Sequence, residues 1–183
     1  TADPGWVTGT SYGILSALAN GTTLLVDEGE FDPMRWYDIM TAAQIEVWYT
    51  SPTALRMLMH AGEKLARNYS FAQVRFAASV GEPLNAEVIR WAKTNLGILV
   101  HDNWWQTETG GILIANCPHQ KIKLGSMGQA LPTIDARLIS TTAKNFEFIT
   151  QPRKTGELVI RGNWSSLFKG YLNDPERTES CLV

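Results

Sequence analysis

His101–Gly111 reads HDNWWQTETGG, and its residue types make poor core and a good site. The Thr107 and Thr109 hydroxyls, with neighbouring backbone N–H groups, suit phosphate oxygens. Glu108 is a hard-oxygen ligand of the kind Mg²⁺ takes while keeping several waters. The same residues also read as a capped loop with a solvated carboxylate. Trp104 and Trp105 are either core rings or the apolar walls of a pocket. A second stretch, Gly81-Glu82-Pro83, can pass a planar base across its backbone or serve as an ordinary strand-to-helix turn. A third, Trp6–Tyr12, is rich in hydroxyls and small residues and fits either substrate contact or tight helix packing. His101-Asp102 does not read as a hydrolase dyad. No G-x-S-x-G elbow accompanies it, and adjacent strand residues face opposite ways. His60 and His119 are isolated.

The elements that position these residues follow from periodicity and caps. Asp3-Pro4-Gly5 is a turn, Ile14–Ala19 a short buried helix stopped by Asn20-Gly21, and Thr22–Val26 an apolar run expected as a strand covered on both faces. Asp32 is an N-cap with Pro33 at the first helical position, and Trp36, Ile39, Met40 and Ala43 follow at helical spacing. Ile45–Thr50 is the next strand. Ser51-Pro52 repeats the cap-then-Pro signal before a helix lined by Leu55, Leu58, Met59 and Gly62. Val74–Val80 is a strand ending on Gly81-Glu82-Pro83. Asn85 caps a helix carrying Val88, Trp91, Ala92 and Leu96, and Ile98–His101 is a strand that delivers the chain into WWQTETGG. Strands and helices thus alternate over residues 22–101, the α/β pattern with a mostly parallel sheet flanked by helices. Ligands of such sheets bind beyond the carboxyl ends of the strands, which brings the GEP turn and the WWQTETGG segment to one edge. After Cys117-Pro118 the pattern changes. Ile134–Ser140, Asn145–Thr150 and Glu157–Arg161 read as strands of an antiparallel, barrel-like subdomain. The expected division is an α/β part over residues 1–122 and a β-rich part over 123–183.

Composition sets the bounds. The chain has 183 residues, 44% hydrophobic and 19% charged, with net charge −2, which argues against nucleic-acid and anionic-membrane partners. The uncharged run Pro4–Val26 contains four glycines among its polar residues, too many breaks for a membrane span. The two cysteines, Cys117 and Cys181, lie far apart and form no zinc or disulfide pattern, so a reducing compartment, the cytoplasm, is expected. The ends, Thr1 without a preceding Met and Glu179–Val183 without a helix stop, read as those of a piece of a larger protein.

Four segments taken together carry a resemblance: Ala2–Gly9 (ADPGWVTG), Tyr49–Ala54 (YTSPTA), Ser79–Asn85 (SVGEPLN) and Asp102–Gly111 (DNWWQTETGG). In order and spacing the chain resembles the acyl-adenylate-forming enzymes, and its D-x-W-W-Q-T-E-T-G-G segment is similar to that of the short-chain acyl-CoA synthetases. The resemblance covers nearly the whole chain. It implies AMP-forming ligation of acetate to CoA: the carboxylate attacks the α-phosphate of ATP, releasing pyrophosphate, and the CoA thiol then displaces AMP from the acyl-adenylate.

By the same resemblance Gly81, Glu82 and Pro83 contact adenine, and Asp102, Asn103, Trp104, Trp105, Gln106 and Thr107 line the ATP/AMP site. Thr107 and Glu108 serve the chemistry, Thr107 on phosphate and Glu108 on Mg²⁺. Trp6, Val7, Thr8, Val80 and Trp105 build the acyl pocket, with Thr8 also near CoA. Trp105 closing that pocket implies a two- or three-carbon acid. Acetate and propionate are both compatible, and so is a non-catalytic nucleotide-binding module. Asn103 stands where the family commonly has Thr, and Ser140–Pro152 matches the family's usual hairpin poorly. The family's Lys-containing phosphate loop, its Tyr-x-Thr-Gly-Asp segment and its C-terminal domain with the adenylation Lys do not occur in these residues. The implied partners are therefore acetate, ATP, CoA and the remainder of the same enzyme, and the chain alone is expected to be inactive.

Overall fold

The computed structural model describes residues 2–142, 145–162 and 164–181. In chain order it has a π-helical segment (Thr8–Leu15), α1 (Ser16–Ala19), α2 (Pro33–Ala42), β1 (Val47–Thr50), α3 (Pro52–His60), α4 (Glu63–Ala66), β2 (Phe76–Ser79), α5 (Ala86–Asn95) and β3 (Val100–Trp104). Two-residue strands β4 (Ile114–Ala115) and β5 (Gln129–Ala130) follow, then β6 (Ala136–Thr142), β7 (Asn145–Phe148), β8 (Glu157–Ile160) and α6 (Pro175–Ser180). The chain divides into two units, residues 1–104 with 115–128 and residues 105–114 with 129–183. Thr1, Leu182 and Val183, on which part of the reading of the chain ends falls, lie outside the described residues, as do Ala143 and Lys144 within Ser140–Pro152.

In the first unit β1, β2 and β3 run parallel, with Thr50 opposite Ser79 and Ser79 opposite Asp102. Helices connect them, and α5 packs on both α3 and β3. This is the α/β architecture that the alternation predicts. The local signals act as expected at two helix starts. The Asp32 carboxylate accepts from the Arg35 N–H at 2.7 Å, the Ser51 hydroxyl accepts from the Ala54 N–H at 3.1 Å, and Pro33 and Pro52 open α2 and α3. Asn85 precedes α5 without a side-chain capping bond. The core joins Tyr37 and Met40 of α2, Trp48 of β1, Leu55 and Leu58 of α3, Ala77 of β2, Val88, Ile89, Trp91 and Ala92 of α5, and Val100 of β3. A parallel sheet must be covered on its faces, and these helical stripes cover it.

Three expectations change. Thr22–Val26 forms no strand: Leu24, Leu25 and Val26 are exposed, and no ladder pairs with them among the described residues. A strand needs a neighbour for its backbone groups, so β-rich composition alone does not make one. Ile14–Ala19 is helical but not buried, with Leu15 56% and Leu18 66% exposed. The strand expected to stop at His101 runs on to Trp104, so Asp102, Asn103 and Trp104 sit in regular structure. Their backbone groups are tied into the sheet, and the Asn116 N–H donates to the Asp102 carbonyl at 2.9 Å.

In the second unit β7, β6 and β8 form an antiparallel sheet in that order, with Ile139 opposite Phe148 on one side and Glu157 on the other. Ile139 is buried. The Asp174 carboxylate caps α6 by accepting from the Arg177 N–H at 3.0 Å, and Pro175 opens the helix. Among the described residues no helix is long and apolar enough to cross a membrane.

Leu58 is fully buried between α3 and the sheet. Leu58→Ala is expected to lower the unfolding free energy in urea by about 2–5 kcal/mol, through lost transfer energy and the cavity left behind. A loss below about 1 kcal/mol shows that this core does not set the unit's stability.

Candidate active site

The carboxyl ends of the three parallel strands carry one row of buried polar residues. Register aligns Thr50, Ser79 and Asp102, which are 1%, 0% and 5% exposed. The Thr50 and Ser79 hydroxyls find no hydrogen-bond partner among the described residues. Such groups carry a desolvation cost and mark a polar floor in an otherwise apolar core. Asp102 is better served. Its carboxylate accepts the backbone N–H of Asn103 at 3.0 Å. The Leu84 N–H, directly after Gly81-Glu82-Pro83, faces the same carboxylate and pulls its proton affinity down. Burial pushes the Asp102 carboxyl up from 3.8 to about 6, against the opposing pull of the two N–H groups.

The GEP turn is shaped by its glycine. Gly81 has φ +93°, and a Cβ there would lie 3.1 Å from the Trp6 ring. Trp6 therefore lies against the turn, which brings one candidate acyl-pocket residue onto the candidate adenine-binding backbone. Val80 and Thr8 are buried, the Thr8 hydroxyl without a partner among the described residues, and Val7 is half-buried. The Glu82 carboxylate accepts from the Thr53 hydroxyl at 2.6 Å and from Arg56 Nη2 at 2.5 Å. The Thr53 bond first, then Arg56, holds Glu82 below the usual carboxylate range. Asn103 Oδ1 accepts from the Tyr49 hydroxyl at 3.1 Å, and Tyr49 meets Tyr12 edge-on at 5.5 Å. Trp104 is half-buried at the end of β3. His101 donates from Nδ1 to the Asn116 carbonyl at 2.9 Å, while Asp102 bonds backbone amides, so the two do not form a dyad.

In the second unit Trp105 is buried and leads into a tight turn. The Thr109 N–H donates to the Gln106 carbonyl at 3.1 Å, and the Gly110 N–H reaches the Gln106 and Thr107 carbonyls at 3.2 and 3.1 Å. Thr109 Oγ1 accepts from the Gln106 N–H at 2.9 Å and lies 2.9 Å from both the Gln106 and Gly111 carbonyls. Thr109 is therefore consumed in fixing the turn and is not a free phosphate ligand. Thr107 and Gln106 are exposed, and the Thr107 hydroxyl makes no hydrogen bond among the described residues.

Residues 164–171 cradle this turn. Trp164 Nε1 and the Ser166 hydroxyl donate to the Thr109 carbonyl at 2.9 and 2.8 Å, and the Phe168 N–H donates to the Glu108 carbonyl at 2.9 Å. The Tyr171 hydroxyl donates to Glu108 Oε1 at 2.5 Å. Arg177 stacks 3.9 Å over the Tyr171 ring and Phe168 meets that ring edge-on at 5.2 Å. The Tyr171 bond, with the Glu108 N–H and Arg177 behind it, holds the Glu108 carboxyl below its ordinary range, while the same bond pushes the Tyr171 phenol up to about 12. Gly110 has φ +66°, and a Cβ there would strike the Ser166 carbonyl. No group of three or more His, Cys, Asp or Glu gathers among the described residues. One oriented carboxylate beside an exposed hydroxyl fits Mg²⁺, which is held by one or two carboxylates, waters and substrate phosphates. It does not fit an all-protein cation cage.

Arg56, Trp164, Ser166 and Tyr171 have no signature in the sequence, and Thr53, though within the Tyr49–Ala54 segment, carries none for a bond to Glu82. Trp164, Ser166 and Tyr171 lie more than fifty residues from the turn they hold, beyond the reach of any local pattern.

Residues 1–172 match the family described as AMP-binding enzyme. The chain belongs to that family. Acetyl-coenzyme A synthetase of Bacillus subtilis (strain 168) is 44% identical over 183 residues, which cover 100% of this chain and 31% of that protein. Acetyl-coenzyme A synthetase of Pyrobaculum aerophilum is 39% identical over 186 residues, covering 97% of this chain and 27% of that protein. The crystal structure of Brucella canis acyl-CoA synthetase superposes with a TM-score of 0.78 at 34% identity, over 87% of this chain and 29% of that one. The chain thus spans less than a third of the length of these relatives. As an AMP-binding family chain it carries the α/β architecture that the solved neighbour shares.

The environment of Asp102 sets a pH dependence. Its carboxyl binds a proton more tightly folded than unfolded, so its stabilising contribution is complete below about pH 4 and is lost as pH rises through about 6. Between pH 4 and 7 the wild-type chain is expected to lose stability relative to Asp102→Asn, which keeps an acceptor for the two N–H groups. The relative loss is on the order of 2 kcal/mol. Denaturant unfolding across that range measures it, and a difference that stays flat with pH contradicts the assignment.

Proposed function

We propose that this chain is the nucleotide- and acyl-binding part of an AMP-forming acetate–CoA ligase. The observation that carries the reading is the placement of the GEP turn, with Gly81 at φ +93° against Trp6, directly after β2 at the carboxyl edge of a parallel sheet whose register aligns Ser79 with buried Asp102. That edge is where α/β folds receive nucleotides. The names of the Bacillus subtilis and Pyrobaculum aerophilum relatives support the same class of reaction.

In this reading Gly81, Glu82 and Pro83 present their backbone to adenine, and Asp102, Asn103 and Trp104 complete that side of the AMP site. The resemblance assigns Trp105 and Gln106, in the second unit, to the same ligand. Thr107 offers its hydroxyl to the α-phosphate, and Glu108 holds Mg²⁺. The metal supplies charge neutralisation at the phosphates. The chain's own residues orient the acid and the phosphate, so that one carboxylate oxygen forms the bond to phosphorus as the bond to pyrophosphate breaks. The CoA thiol then attacks the acyl carbon and AMP leaves with the bonding electrons. The resemblance assigns Trp6, Val7, Thr8, Val80 and Trp105 to the acyl group, and Thr8 also to CoA. Acetate is the expected substrate, with propionate the nearest competitor.

The test is carboxylate-dependent exchange of pyrophosphate into ATP by the full-length protein. Acetate is expected to be preferred over propionate by tenfold or more in kcat/KM, the discrimination that one methylene allows in a fitted pocket. Trp105→Ala is expected to reverse the order in favour of longer acids. Preference for propionate assigns the other short-chain ligase. AMP binding without exchange assigns a non-catalytic module and overturns the proposal.

A further inference from the structure

We propose that Arg56 and Thr53 are positioning residues for the nucleotide-binding turn, and that the Glu82 carboxylate is the strut they hold rather than a group that meets the base. The proposal rests on the reading that this turn receives adenine, and it assigns work to α3 that the sequence does not reveal. A turn that presents backbone to a planar ring must be rigid before the ring arrives, or binding bears the cost of ordering it. One end of Gly81-Glu82-Pro83 lies against Trp6, and the other continues into buried Leu84. Among the described residues the middle is held through the Glu82 side chain.

Both carboxylate oxygens are taken. Thr53 Oγ1 donates to Oε1 at 2.6 Å and Arg56 Nη2 donates to Oε2 at 2.5 Å. Arg56 Nη2 also donates to Thr53 Oγ1 at 2.7 Å, which closes a ring of three side chains. Thr53 sits in the first turn of α3, whose start is fixed by the Ser51 cap and Pro52. A carboxylate there also meets the favourable end of the helix dipole. The ring thus anchors the turn after β2 to the helix after β1. It settles charge as well: ATP and AMP are anionic, and an unpaired carboxylate beside them would repel them. Arg56 offsets that repulsion by pairing with the carboxylate from α3.

The side chains of Arg56 and Glu82 are 36% and 41% exposed, so the effect is modest and specific rather than large. In the full-length protein, Arg56→Ala is expected to weaken AMP binding by calorimetry about three- to tenfold and to raise the KM for ATP by the same factor. The KM for acetate and kcat at saturating ATP are expected to stay within about twofold. Arg56→Lys keeps the charge and one donor and is expected to restore affinity to within about twofold of wild type. Adding Glu82→Gln to Arg56→Ala is expected to cost less than about a further twofold, because both changes cut the same ring and the second removes the stranded charge.

Amide hydrogen exchange at Gly81, Glu82 and Leu84 is expected to quicken in Arg56→Ala without nucleotide present. Unchanged AMP affinity in Arg56→Ala overturns the proposal. So does a parallel rise in the KM values of ATP and acetate with a fall in thermal midpoint, which marks a merely structural role. Wild-type protein that binds no AMP defeats the adenine reading itself, and the exchange rates alone then decide the strut.

Discussion

Burial of the Asp102 carboxylate at the end of the parallel sheet is the constraint on which the first unit's site depends. A carboxylate at 5% exposure must be satisfied or neutralised. The Asn103 N–H satisfies it in part, and burial still raises its proton affinity. The turn after β2 that lies beside it is held by no regular ladder among the described residues. Gly81 supplies a backbone conformation with positive φ and close approach to Trp6, and Glu82 supplies a handle for α3. Buried polar atoms at the strand ends, Thr50 and Ser79 among them, lie in the same row. Buried polarity is thus gathered toward the carboxyl ends of the parallel strands.

The second unit uses the opposite strategy for the same purpose. The QTETGG turn draws its rigidity from residues 164–171, which deliver hydrogen bonds to the carbonyls of Glu108 and Thr109 and to the Glu108 carboxylate. Thr109 turns inward and closes the turn on itself. Thr107 is left exposed, with no hydrogen bond to its hydroxyl among the described residues. Two threonines separated by one residue therefore have different work: one maintains the shape and the other is presented.

Much of this was legible in the sequence, and the reasons are local. Asp32-Pro33 and Ser51-Pro52 announce helix starts because caps and proline act within one turn. Trp36 to Ala43 and Val88 to Leu96 announce buried faces by their period. Thr22–Val26 shows where that logic stops. Its composition is right for a strand, but pairing is a relation between segments, and no described residue pairs with it. Ile14–Ala19 likewise had the composition of a buried helix and lies exposed, because burial depends on what packs against it.

The sequence by itself determined the α/β order, the positions of the motifs along it and the chemical types on offer at each. Those properties follow from spacing and composition, which a linear chain states directly. Only the tertiary structure decided which of the offered groups are consumed. Thr109 and the Glu82 carboxylate are taken up by internal bonds, and Thr107 is not. It also decided which distant residues hold the site: Arg56 on Glu82 across 26 positions and Tyr171 on Glu108 across 63. A hydrogen bond depends on distance in space, and the chain sets that distance only once the helices and strands have packed.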